Sequence, residues 1–180
     1  MHVMRFALAG LALLAFAGMA AAEEDNSALL VELFAKICAP KPALPSQVER
    51  IATRLGFVSD GSPITAEMER GAKIDILYAA QLMRRGERIG SMTAYFTGPD
   101  DGPNVTCTVS ATGVSADALP GLIETSLKAR ERADKPSKDD NHRLASWRVG
   151  TGSGDTLDMS VWKTPPRRAS ISINYFAYKR

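Results

Sequence analysis

The residues that make chemistry conspicuous are scarce in this chain. Its 180 residues hold two cysteines and two histidines, and one histidine, His2, falls in the opening apolar segment. With the cysteines paired, too few nitrogen and sulfur ligands remain for a zinc site. No C-x-x-C redox pair occurs. No Gly-x-x-x-x-Gly-Lys-Ser/Thr phosphate loop occurs, and Thr151 stands where a Gly-x-Ser-x-Gly nucleophile elbow around Ser153 needs its first glycine. Charge of one sign is also missing. The formal net charge is +2, and loss of Arg5 with a cleaved leader leaves +1, which argues against a nucleic-acid binder and against a trap for acidic substrates. Beyond residue 19 no apolar run approaches the roughly 20 residues that span a bilayer.

What the sequence does have begins with an address. Residues 1–22 read as a secretory signal peptide: Arg5 near the start, an uncharged run from Phe6 to Met19, then Ala20-Ala21-Ala22 as a small-residue cleavage site before Glu23-Glu24-Asp25. The competing reading is an uncleaved anchor, for which the run is short. No cysteine follows the small residues, so bacterial lipid attachment is not expected. Residues 23–180 suit a single domain, expected in the periplasm or outside the cell.

Cys38 and Cys107 are the only cysteines, and in an oxidising compartment they have one intrachain pairing. A redox or nucleophilic thiol is the alternative, and it lacks a companion. Asp25-Asn26-Ser27 precede a helical stripe of Leu29, Leu30, Leu33, Phe34 and Ile37, which puts Cys38 at the last turn. Ser46 and Glu49 form a capping box for a second helix with Val48, Ile51, Ala52 and Leu55 buried and Gly56 as its stop. Ser62-Pro63 suggest a further helix through Arg70, and residues 71–88 stay open between strand and helix.

From Ile89 the hydrophobic period becomes two. Val105, Cys107, Val109 and Ala111 alternate with Thr106, Thr108 and Ser110, so Cys107 faces the core. Ser115 caps a helix carrying Leu119, Leu122, Ile123 and Leu127, with Lys128, Arg130 and Arg132 in its last turns. Residues 133–141 read as an exposed loop. Three strands then form an antiparallel meander, with inner faces Ala145/Trp147/Val149, Leu157/Met159/Val161 and Ile171/Ile173/Tyr175/Ala177. This order of elements predicts an α+β domain, an antiparallel sheet with helices packed on one face.

Candidate chemistry is thin. Gly150 to Gly154 lies between strand patterns and reads as a hairpin loop, since a phosphate loop must open a helix. Ser153, His142 and an aspartate permit a drawn triad, but His142 reads far more readily as a solvated or strand-start residue than as a base. Asp139-Asp140 and Asp155 with Asp158 lack calcium-loop spacing, and no carboxylate pair is singled out for glycoside chemistry. Neither a metal nor a cofactor is expected. Arg84-Arg85-Arg88, Lys128-Arg130-Arg132, Arg167-Arg168 and Lys179-Arg180 are basic groups interleaved with acids. Asn104-Val105-Thr106 is a glycosylation sequon in form. Trp162, Phe176 and Tyr178 fall on the sheet's second face beside Ser160, Ser172 and Asn174, a candidate binding surface for a partner protein or a glycan if nothing covers it.

The leader, the first helix ending in a cysteine, and Thr106-Cys107-Thr108-Val109 followed by a helix start at Ser115-Ala116-Asp117 resemble small secreted proteins of Gram-negative bacteria that have no assigned activity. The resemblance implies a periplasmic location and a paired role for the cysteines, and it brings no site residues. The expected function is a non-enzymatic periplasmic or secreted binding or envelope accessory module. The alternative is a small hydrolase using carboxylates or a Ser/His pair.

Overall fold

A computed structural model describes residues 25–40, 45–59, 61, 64–67, 73–97, 104–149 and 156–175. Among the described residues three helices and nine strands follow one another as α1 (Ser27–Ile37), α2 (Pro45–Arg54), β1 (Phe57–Ser59), β2 (Ile64–Glu67), β3 (Lys73–Arg84), β4 (Glu87–Thr97), β5 (Asn104–Thr112), α3 (Ala118–Ser126), β6 (Arg130–Lys135), β7 (His142–Arg148), β8 (Thr156–Trp162) and β9 (Arg168–Tyr175). Eight strands run in the order β1-β3-β4-β5-β9-β8-β7-β6, and β2 also pairs with β3. All pairings are antiparallel. The last strand in sequence, β9, therefore sits in mid-sheet between β5 and β8.

Helices cover one face of this sheet. The inner positions of the period-two strands are all buried: Val105, Cys107, Val109 and Ala111 on β5, Leu157, Met159 and Val161 on β8, Ala169, Ile171 and Ile173 on β9. They meet Leu30, Leu33, Phe34 and Ile37 of α1, Val48 and Ala52 of α2, and Leu119 and Ile123 of α3 in one hydrophobic core. At roughly 25 cal/mol per Å² of apolar surface, each such large side chain contributes about 1.5–3 kcal/mol when buried.

Both ends of α1 are fastened. At its start, Asn26 donates from its backbone N–H to Gly113 O (2.8 Å) and from its side chain to Thr112 O (2.9 Å). Ser27 Oγ accepts from Ser115 N (2.9 Å) and donates to the Asp25 carboxylate, which also takes the Ser27 N–H (2.9 Å). Asn26 and Ser27 are buried, and these bonds satisfy polar groups that would otherwise cost about 1–3 kcal/mol each. At its end, Cys38 is joined to Cys107 with a Cα–Cα distance of 5.5 Å, and the Tyr175 hydroxyl donates to Cys38 O (2.7 Å). The disulfide closes a separation of 69 residues.

The middle of the chain departs from the sequence reading. Ile64–Glu67 is strand β2, not part of a helix through Arg70. Residues 73–84 form a single 12-residue strand, so the helical look of residues 77–85 does not hold. The cause is the hairpin. Arg84 faces Glu87 across Arg85 and Gly86, both with positive φ (52° and 83°), the two-residue turn whose twist matches paired strands. Pairing along β4 then overrides the helix propensity of Leu77, Leu82 and Met83.

Two smaller corrections concern helix ends. α2 begins at Pro45, so Ser46 lies inside its first turn instead of at the cap, while Gly56 takes the expected left-handed stop (φ 87°). α3 ends at Ser126, Lys128 turns out of it at φ 52°, and Arg130–Lys135 is the edge strand β6. The helical continuation through Arg132 and the loop start at Ala133 are thus replaced by a strand exposed at every position. Its charged side chains discourage pairing with another chain, as suits an unpaired edge. Among the described residues no helix is long and apolar enough to cross a membrane.

Candidate functional site

The sheet's second face carries the alternate residues of the same strands, and on β5, β8 and β9 these are mostly polar. Antiparallel register lines them up in rows. One row runs Ser160, Ser170, Ser110, Ser91 across β8, β9, β5 and β4, and the next runs Asp158, Ser172, Thr108, Thr93. Neighbours bond sideways: Ser91 Oγ with Ser110 Oγ (2.9 Å), Thr108 Oγ1 with Ser172 Oγ (2.8 Å), and Thr106 Oγ1 donating to Asn174 Oδ1 (2.6 Å). These side chains are half-buried by one another, and α1, α2 and α3 all lie on the opposite face. Each hydroxyl has one donor and two acceptor positions, so after a single lateral bond it keeps capacity for a ligand.

At one margin of this lattice stands a third row, His142, Trp162 and Arg168, from β7, β8 and β9. Trp162 remains 36 % exposed, among the most exposed large hydrophobic residues. The His142 ring stacks on it with centroids 4.2 Å apart and planes 10° from parallel. From the other flanking strand, the Arg168 guanidinium carbon comes within 5.8 Å of the Trp162 ring centre. His142 Nε2 shares a 2.7 Å hydrogen bond with Ser160 Oγ. A shallow depression of about 230 Å³ opens beside the row, lined by Ser110, Ser160, Trp162, Arg168, Ala169 and Ser170.

The sequence alternation places Trp162 on this face, beside Ser160, Ser172 and Asn174. Phe176 and Tyr178, the other two aromatics of the candidate surface, lie outside the described residues, as do Ser153, Asp155 and the Gly150–Gly154 loop. β7 and β8, which precede and follow that segment in sequence, pair antiparallel. Periodicity could not reveal the company of Trp162, because His142 and Arg168 join it only through cross-strand register. Trp147 is the opposite case. It is buried on the helix side, where its indole N–H donates to Glu124 Oε1 of α3 (3.1 Å).

The acidic residues gather in a second depression that shares His142 with the Trp162 row. It is open, has a volume of about 520 Å³ and includes Asp117, Asp134, Asp139, Asp140, His142, Arg143 and Lys163. Two of its carboxylates face cations: Arg143 lies 3.9 Å from Asp117 and 3.8 Å from Asp134, and Arg132 grips Asp134 at 2.7 Å. The Arg132 hydrogen bond holds the Asp134 carboxyl below its ordinary range, with lesser help from the charges of Arg132 and Arg143. Asp158 pairs with Lys135 across the sheet. Among the described residues no three His, Cys, Asp or Glu side chains gather as a metal site would require. No protein-family model, no curated protein and no solved structure matches the chain.

Proposed function

We propose that the chain is an exported, non-enzymatic binding module of the periplasm or the extracellular space, an envelope accessory protein. Its ligand-contacting surface is the sheet face opposite the three described helices, with Trp162 at its margin. One observation carries the reading: a sheet whose two faces are built to different rules. The side toward the helices is built mainly of buried apolar residues, whereas the other holds ordered hydroxyls and an exposed tryptophan. Rigid side chains with spare hydrogen-bonding capacity suit a glycan or a polar protein surface. The disulfide supports an oxidising compartment, and residues 1–22 supply the export signal. The resemblance to small secreted Gram-negative proteins supports the same location.

A Ser/His hydrolase is the second reading, favoured by the 2.7 Å contact of His142 with Ser160. Three features weigh against it. No carboxylate orients His142 among the described residues. Ser160 sits within a strand paired on both sides, its partners being Leu144 and Ser170. Backbone amides committed to a ladder cannot turn toward a developing oxyanion, which needs donors at about 2.7–3.1 Å.

Affinity capture from an envelope extract tests the binding reading. Thr108→Arg, which sets a long cation in the middle of the hydroxyl face, and Trp162→Ala are each expected to lose the captured partner. The same partners retained by both variants would refute it. Labelling of Ser160 by a fluorophosphonate, abolished in Ser160→Ala, would favour the hydrolase instead.

A further inference from the structure

The row at the margin of the hydroxyl face points to a class of ligand, an inference that rests on the binding reading above. We propose that Arg168, held against Trp162, anchors a carboxylated saccharide whose ring lies in the depression formed with Ser110, Ser160 and Ser170.

The first reason is charge. Lys36, Arg132, Lys135, Arg143 and Arg148 each have a carboxylate partner. Among the described residues Arg168 has none; its recorded neighbour is an aromatic face. A cation–π contact uses the charge of a guanidinium but not its fork of N–H donors. Arg168 is therefore held in place with its donors available, the condition for a bidentate grip on a carboxylate. The second reason is the floor of the depression. Ser110 is fixed by Ser91, and Ser160 by His142, so their hydroxyls are positioned in advance and lose little freedom on binding. Hydroxyls that both donate and accept match the hydroxyls of a sugar ring.

A saccharide fits better than a peptide of the same charge. The depression is shallow, and three of the six residues that line it are serines. β5, β8 and β9 beneath it are hydrogen-bonded to neighbours on both sides, so none offers an edge for an added strand.

The test is calorimetric titration of the full mature protein with oligogalacturonate, its methyl ester, and an oligoglutamate of equal charge. The acid is expected to bind, with the ester and the oligoglutamate each about tenfold weaker or worse, the loss of one charge-assisted contact. Arg168→Gln should weaken binding of the acid by about tenfold, and Arg168→Lys should restore part of it. Arg168 is exposed, so these variants should melt with wild type, and the ester comparison needs no variant at all. The proposal is overturned if the acid does not bind, if ester or oligoglutamate binds as tightly, or if Arg168→Gln binds like wild type. The broader reading is judged separately, by whether Thr108→Arg abolishes capture of an envelope component.

Discussion

The two faces of the sheet come from the same strands, one residue apart, yet they answer to different constraints. On the helix side, Leu157, Met159, Ile171 and Val109 are fully buried and fixed by shape. On the other, Ser91 with Ser110 and Thr108 with Ser172 are paired by hydrogen bonds and stay in reach of solvent. A close-packed apolar face stabilises the domain, and a bonded polar face keeps its capacity for contact. Stability and recognition are thus separated by the pleat itself.

The covalent tie between a helix and the inner face should give the largest effect. Replacing Cys38 and Cys107 together with alanine is expected to cost about 4 kcal/mol by loop entropy, read as a fall in the denaturant midpoint that reductant reproduces in wild type. Against a total near 5–15 kcal/mol, that loss brings the domain close to unfolding. Next, Leu157→Ala on the helix side should cost about 2–5 kcal/mol in the same assay. Its counterpart, Thr108→Val, changes only the polar side and removes the bond to Ser172; stability should fall by about 0.5–1.5 kcal/mol. Equal losses from these two would break the distinction between the faces.

The smallest effect concerns pH. Hydrogen bonds from the side chain and backbone of Ser27 hold the Asp25 carboxyl below its ordinary value of 3.8, against a lesser opposing effect of burial. A folded-state value depressed in this way adds stability above the unfolded value and loses it as pH falls through the folded one. Asp25→Asn should therefore lower the neutral part of a melting-temperature profile slightly and leave its most acid part nearly unchanged, so that the limb below about pH 4 flattens. An unaltered acid limb would remove Asp25 from the fastening of α1.

Much of this was legible in the sequence wherever alternation was clean. β5, β8 and β9 announce themselves because branched or sulfur-bearing side chains alternate with Ser and Thr, and the position of Cys107 in that pattern places it on the core side. β3 was hidden because Ala79, Ala80 and Gln81 blur the period and Leu77, Leu82 and Met83 favour helices when read locally. β6 was hidden for another reason. Arg-Glu-Arg-Ala-Asp-Lys buries nothing, and only its pairing with β7 makes it a strand. The Trp162 row lies deeper still, since residues 142, 162 and 168 meet only once β7, β8 and β9 are in register.

The place of β9 has a consequence for how the chain is finished. It slots between β5 and β8, so a nascent chain that has reached only Lys163 owns two separate ribbons, each with a raw seam. Zippering both seams falls to the final stretch, whose contacts reach far back in sequence, an arrangement that slows folding. A premature stop just before Arg168 would leave a pair of sticky borders, the hallmark of a product that clumps or is degraded.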